Sequence, residues 1–491
     1  MVVLGAGAAG LAAAHEITLH GHPVTVLEAQ GFVGGLCRTV DYKGYRFDLG
    51  GHRWFTKNKD LDAWFHRLLG VELVAVNRIS RVHFDGRYFL YPIEFTDLVR
   101  RLGLGFMLDA GARFVWAAAA ARLRAKPPVD MAQAYIAQFG TRLYEMFFRR
   151  YTEKVWGRPC QELSADWVAQ RSKGLSVWSL IKEAFGAGSR DVDSLIDRFH
   201  YPATGYGRLP GRLCEDVRLR GGEVRLGAPV RKVHCHGPDD FEVFYQEGAE
   251  QRSLRTPAVL STLPLGRLVQ MLTPACPPEV LAAAQGLAFR DLITVNLIVG
   301  RARVSDDTWV YVQDEDVLFG RLHEPKNWSA AMVPDPSRTS LVLECFCSHG
   351  DALWSMDDAA IVRRCVDDLE RRLGLLRPGE VEDFVVVRTR NAYPIYDLAY
   401  AAKLDTIKRH LASLPGLHIL GRSGSFRYNN ADHSVEMGLM LGRRMMGAAL
   451  DHLAVNTECE YHESPASRAA VQRDRFSLAP QSAAKSLPGR T

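Results

Sequence analysis

A chain of 491 residues with 47% hydrophobic and 24% charged residues can bury more than one core, which excludes a largely disordered protein. The net charge of +5 is spread over many arginines without a dense basic run; this argues against nucleic-acid binding and suits anionic small ligands. The nine cysteines form no CxxC pair and no zinc-ligand spacing, so no metal site is expected and the thiols read as reduced. Cys345 and Cys347 share a strand face and read as packing, and His234-Cys235-His236 runs into a Gly-Pro-Asp-Asp turn. The most apolar segment, GFMLDAGARFVWAAAAARL, is interrupted by Asp109 and Arg113, so it reads as a core or surface helix and no stable membrane insertion is expected. The chain opens at once on a strand-like VVLG, which leaves no room for a signal peptide and makes the cytoplasm the expected compartment.

The first predicted unit is a strand, a turn and a helix. VVLGAGAAGLAAAHEI carries Gly5, Gly7 and Gly10 in GxGxxG spacing. Glycine at these places permits the tight turn, the approach of a pyrophosphate to backbone N–H groups, and close packing of helix on strand. The next strand, PVTVLEA, ends at Glu28, whose carboxylate can accept from both hydroxyls of an adenosine ribose. That favours an unphosphorylated ribose, hence FAD or NAD over NADP. Gly34, Gly35 and Arg38 follow in GGLCRT, and a glycine pair with a basic residue resembles the extension of FAD proteins of the amine oxidase and glutathione reductase type. FAD is therefore the expected cofactor.

Later segments return to the same sheet. GGEVRLGAPVRKVH is a turn followed by alternating strand residues, and Val230 is expected to lend its backbone to the adenine. AVLSTLP, 258–264, reads as a buried strand ending at the cofactor, and LHILGRSG as the last strand. Gly421 and Arg422 are expected against the FAD pyrophosphate and ribityl chain. A helix beginning near Asp432, His433 and Ser434 is expected to aim its positive end at the flavin pyrimidine. The fold class is thus α/β, with a discontinuous Rossmann-type FAD-binding domain (1–78, 203–262 and 401–454) and an inserted mixed α+β substrate domain. The insertions are a helical region, 79–202, and a strand-rich region, 263–400. The composition of 455–491 reads as a disordered tail.

Four further segments are GGHRWF at 50–55, FFRRYTEKVWGRPCQELSADWVAQR at 147–171, TWVYVQDEDVLFGRL at 308–322 and GRSGSFRYNNADHS at 421–434. With the opening motif they resemble the UDP-galactopyranose mutases over most of residues 1–450, within the wider amine oxidase and protoporphyrinogen oxidase-like FAD superfamily. The resemblance implies that Arg171 and Arg321 hold a substrate diphosphate, a task suited to permanently charged, bidentate guanidinium groups. It implies phosphate contacts for Tyr311, Tyr393 and Tyr428, and a contact with the migrating sugar for Asn430. It also implies that His52, after Gly50 and Gly51, lies near flavin N5 on a loop that moves with reduction. Glu94, in YFLYPIEF, stands near the nucleobase position where the family offers a neutral amide. An ionised carboxylate only accepts hydrogen bonds, so the base, and UDP-galactose with it, stays open.

The implied activity is a nucleotide-sugar pyranose/furanose mutase in glycan or glycosylated-metabolite biosynthesis. Reduced flavin N5 would be the nucleophile on the anomeric carbon, with no net redox change. The implied partner is a nucleotide-diphosphate sugar. No second GxGxxG is present, so electrons would come from NAD(P)H at a transient site or from a separate flavin reductase; the oligomeric state is not legible. The alternative is an FAD-dependent oxidase or desaturase of the amine oxidase or protoporphyrinogen oxidase type, which would show an apolar or aromatic pocket in place of paired arginines.

Overall fold

Short apolar runs organise the first half of the fold. Val2–Leu4 lies at the centre of a five-stranded parallel sheet, between Val259–Ser261 and Thr25–Leu27, with Leu417–Ile419 and Glu223–Arg225 at the edges. Such strands are covered on both faces, which is why they read as continuous apolar runs and not as alternation. A four-stranded sheet built from Val230–Gly237, Asp240–Glu247, Glu250–Thr256 and Leu272–Thr273 closes one face. The helix Ala8–Leu19 closes the other and is buried along almost its whole length. It can be so because a second helix, Ala431–Met445, lies directly on it. Gly438 makes that approach possible: a Cβ there would collide with the Ala9 carbonyl. Arg443 Nε and the buried Glu16 Oε1 pair across the same contact at 2.7 Å.

This computed structural model describes residues 1–91, 100, 103–123, 127–171 and 198–455. Glu94 and all of the expected tail except Val455 lie outside the described residues.

The second half is a seven-stranded sheet in the order Val381–Pro394, Phe289–Val299, Thr339–Cys347, Arg321–His323, Trp309–Val312, Ser80–Phe84 and Arg87–Tyr91. Its pairings are antiparallel except that between Trp309–Val312 and Ser80–Phe84. Here the structure differs from the helical reading of 79–202. SRVHFDGRYFLY is a hairpin that joins the strand-rich sheet, turning through Asp85 and Gly86 at φ of 49° and 70°. Alternating residues around an Asp-Gly pair carry that signal, because the paired positive φ values match the twist of the strands. Helices follow at Leu104–Leu123, Met131–Leu143, Arg150–Trp156 and Asp166–Arg171, and the region ends in a strand, Arg198–Pro202, paired with Leu73–Asn77.

Among the described residues no helix is long and apolar enough to cross a membrane, and no three His, Cys, Asp or Glu side chains form a metal cluster. The described cysteines are free thiols, and the Sγ atoms of Cys345 and Cys365 lie 3.9 Å apart in the core.

Replacing Gly438 by alanine forces apart the helices Ala8–Leu19 and Ala431–Met445. The expected cost is about 1–3 kcal/mol, typical of overpacking in a close contact. Thermal unfolding followed by circular dichroism will show it as a lower Tm.

Candidate functional site

The strand Val2–Leu4 delivers the chain into the glycine turn, where Gly5 N–H donates to the Leu27 carbonyl at 2.8 Å. No side chain caps the helix Ala8–Leu19, and a Cβ on Gly7 would enter open space. Glu28 is fixed beside this turn: its carboxylate accepts from Ala6 N–H at 2.8 Å and from Gln30 N–H at 2.9 Å. Gly34 N–H donates to the Ala6 carbonyl at 2.8 Å, and Gly35 stands against Gly7, so the two glycine segments lie back to back. The Arg38 guanidinium lies 3.9 Å above the Phe32 ring, with its buried Nε lacking an acceptor. Val230 comes two residues after Ala228, whose N–H donates to the Glu28 carbonyl at 2.7 Å. An uncapped helix start with an open cradle, a fixed carboxylate and an unsatisfied arginine N–H together fit a dinucleotide: pyrophosphate on the N–H groups, ribose on the acid.

The returning chain packs on the same turn. Gly421, at φ +75°, approaches the Ala9 side chain. Arg422, expected against the cofactor, spends Nε on the Asn429 carbonyl at 2.7 Å and one terminal nitrogen on the Ala392 carbonyl at 2.9 Å. Asn430 is the N-cap of Ala431–Met445 in a capping box, with its own N–H donating to His433 Nδ1 at 3.2 Å. Ser434 Oγ donates to the Asn430 carbonyl at 3.0 Å, and Asp432 is buried in the first turn. These polar residues therefore define where the helix starts.

The second cluster is set by strand register. Arg321 sits opposite Tyr311 on one neighbouring strand and opposite Glu344 on the other. Its guanidinium pairs with Glu344 Oε2 at 2.5 Å and donates to the Tyr393 hydroxyl at 2.6 Å. Burial works against the Arg321 charge, but Glu344 and the phenols of Tyr393, Tyr151 and Tyr428 outweigh it, and its pKa is raised well above the ordinary value. Tyr393 stacks on Tyr428 at 5.7 Å, and the edge of Trp156 meets both rings. Tyr311 packs against Tyr91, Tyr151 and Trp309. Burial pushes the Tyr393 phenol up to about 12, so it remains a donor at neutral pH.

His52 belongs to the same cluster through Glu344. Gly51 N–H donates to Glu344 Oε1 at 3.2 Å, and a Cβ on Gly51 would overlap the Trp309 indole. Gly50 turns at φ +92°, and His52 Nδ1 lies 3.1 Å from the Gly50 carbonyl. Burial and the neighbouring Arg422 lower the His52 pKa to about 4, so the ring is neutral. The structure thus gathers His52, Tyr311, Arg321, Tyr393, Tyr428 and Arg422. Arg171 ends the helix whose Trp167 packs on Trp156 and Tyr428, and its side chain is not among those described.

Sequence reasoning missed Glu344, Tyr151, Trp156 and Trp309. The one available signal for Glu344 was an acid inside the apolar strand SLVLECFC. Several donors here are buried without acceptors: Arg321 Nε, Trp309 Nε1, Trp167 Nε1 and the Tyr206 hydroxyl. Buried polar groups are normally paired, so such a set suits an oxygen-rich ligand.

His52 also makes a pH test possible. An ordinary histidine titrates near 6.5 and the folded ring near 4. The stability contributed by its neutral form is complete above 6.5 and is lost as the pH falls from there toward 4. Urea unfolding across that range will show a shallower loss for His52→Gln than for the wild type.

The family model for flavin containing amine oxidoreductases matches residues 8–441. Mitochondrial protoporphyrinogen oxidase of Nicotiana tabacum is 46% identical over 459 residues, covering 86% of this chain and 90% of that protein. Protoporphyrinogen oxidase 2 of Arabidopsis thaliana is 23% identical over 473 residues, covering 86% and 89%. Among solved structures, reduced UDP-galactopyranose mutase superposes with a TM-score of 0.80 at 22% identity, over 94% of this chain and 99% of that one. A putative protoporphyrinogen oxidase from Exiguobacterium sp. 255-15 gives 0.70 at 19% identity, over 90% and 98%. At these identities the two structures share the fold with this chain. The match across nearly the whole sequence, on a scaffold that carries the dinucleotide cradle, identifies the chain as an FAD-dependent enzyme of the flavin containing amine oxidoreductase family.

Proposed function

We propose that this flavoenzyme is a nucleotide-sugar mutase that interconverts the pyranose and furanose forms of a sugar carried on a nucleoside diphosphate. The observation that carries this reading is Arg321. A buried guanidinium held permanently charged, ringed by tyrosine hydroxyls and left with an unsatisfied Nε, is suited to a diphosphate. An apolar substrate gives such a group nothing to bind.

The residues then divide the work. Arg321, Tyr311, Tyr393 and Tyr428 hold the diphosphate as it leaves the anomeric carbon, and we assign Arg171 as the second cation. The phenols bring hydrogen bonds without adding charge. His52, neutral, gives its Nδ1 proton to the Gly50 carbonyl and so offers Nε2 as an acceptor on the flavin side without attracting the diphosphate. FAD, when bound and reduced, supplies the nucleophile for the anomeric carbon. Its electrons are assigned to NAD(P)H or a separate reductase, and the reaction to the cytoplasm. Asn430 is assigned to the sugar and Glu94 to the choice of base. The second reading, an oxidase, is favoured by the 46% identity to the tobacco protoporphyrinogen oxidase and by the stacked Tyr393–Tyr428 pair.

Dithionite-reduced protein, mixed anaerobically with a panel of nucleotide-linked pyranoses and furanoses, will interconvert ring size without net flavin oxidation. Bleaching of the oxidised flavin by a substrate, with no change of ring size across the panel, would decide for the oxidase. Arg321→Ala is expected to keep its yellow cofactor and lose binding of the nucleotide sugar, measured by calorimetry.

A further inference from the structure

We propose that Lys154 is a positioning residue for the anion site: its ammonium ties down the turn that joins Tyr311 to Arg321 and thereby sets the spacing of these two groups. The inference deepens the mutase reading and rests on it for the ligand.

Lys154 lies in the helix Arg150–Trp156, and its side chain reaches across to the turn between the strands Trp309–Val312 and Arg321–His323. Nζ donates to the carbonyls of Asp314 at 2.6 Å, Phe319 at 3.0 Å and Val312 at 3.4 Å. Val312 directly follows Tyr311, and Phe319 comes two residues before Arg321. The ammonium therefore grips both ends of the turn and its middle. An ammonium has three N–H donors and no acceptor, so the three carbonyls use it completely.

The same helix touches the site in two other places. Tyr151 packs on Tyr311, and Trp156 packs on Tyr393 and Tyr428. Other ties hold the turn from behind: Gln313 Nε2 donates to the Phe147 carbonyl at 2.9 Å, and Leu318 N–H to Asp368 Oδ2 at 2.9 Å. Lys154 is the cation in this set, and its loss would take the ammonium from the Val312 and Phe319 carbonyls in a half-buried space, while the Asp314 carbonyl keeps the Val317 N–H.

The groups facing the ammonium are Asp314 and Glu315 from the turn, Asp368 from behind it and the Cys345 thiol from the strand. Burial outweighs their support and brings the amine down to about 8. Above that pH the amine keeps two N–H donors for three carbonyls. The turn loosens and the ligand is held less well.

UDP-glucose is a suitable probe, because its diphosphate is a diester and has no phosphate group that titrates near neutral pH. Its Kd is measured by calorimetry from about pH 7 to about pH 9 for the wild type, Lys154→Met and Lys154→Arg, with bound-flavin absorbance reporting folding. Hydrogen exchange of residues 309–323 is followed in parallel. The expected result is a wild-type affinity that falls roughly tenfold through pH 8, the size of one hydrogen bond from a charged donor. Lys154→Met binds weakly at every pH and exchanges faster over 312–320, and Lys154→Arg, which stays charged, shows no break. Wild-type affinity and exchange in Lys154→Met would overturn the proposal, as would a break retained in Lys154→Arg. If the wild type binds no nucleotide sugar of the panel, the mutase reading falls. Exchange alone then decides for or against the tether: unchanged exchange in Lys154→Met overturns it.

Discussion

A carboxylate with no solvent exposure, Glu344, holds the two halves of the candidate site in one arrangement. One oxygen meets the Arg321 guanidinium and the other the Gly51 N–H. Burying either charge alone is expensive, and removing one partner of a buried pair typically costs about 3–5 kcal/mol. The pair therefore survives only as a unit, which ties the backbone turn at Gly50 and Gly51 to a sheet far along the sequence. Trp309 then closes over Gly51, Tyr393 accepts from Arg321, and the remaining rings fill in around them. The arrangement also sets the chemistry. Because Glu344 balances Arg321, the site presents directed N–H and O–H donors more than a bare positive field, and a dianionic ligand needs a further cation to be neutralised.

How much of this was legible depends on whether a feature is written in neighbouring residues. The dinucleotide turn, Glu28 and the Gly34-Gly35 pair lie within a short stretch, and Gly5, Gly34 and Gly35 answer a local demand of the backbone for positive φ while Gly7 keeps the cradle open. Arg321 and Tyr311 were legible as a spaced pair, since one short hairpin carries both. Glu344 was not, because its role follows from register with Arg321 across two strands, and register is a property of the folded sheet. Lys154 was silent for a related reason: its partners are backbone carbonyls, and a carbonyl has no letter of its own. Arg422 shows the converse. Its place in the motif suggested a cofactor contact, while its guanidinium secures the Asn429 and Ala392 carbonyls. The hairpin at 80–91 carries its signal in the Asp85-Gly86 turn, but the helix-rich residues that follow obscured it, and the region reads as helical.

A mutase and a putative protoporphyrinogen oxidase share this scaffold with the chain, so the fold alone does not choose between the two chemistries. What bears on that choice is the polarity of the buried side chains gathered around Arg321. Here that cluster combines stacked tyrosines with a charged arginine, and burial keeps the Tyr393 phenol protonated. Such a cluster sets directed N–H and O–H donors beside flat apolar faces. The chemistry of the chain is carried by these few side chains, and the fold is shared.

The tight glycine contact between Ala8–Leu19 and Ala431–Met445 also governs how the molecule is assembled. About 410 residues separate the two helices, so during synthesis the apolar face of the first waits uncovered until almost the whole described chain has emerged. Contacts of such long separation form late and leave apolar surface open to aggregation in the interval. The edge strand Leu417–Ile419, paired with Val259–Ser261, arrives at the same stage and leads into Gly421, which packs against Ala9. The helix that follows the dinucleotide cradle therefore gains its last covering layer only as folding closes, when the earliest and latest segments of the domain meet.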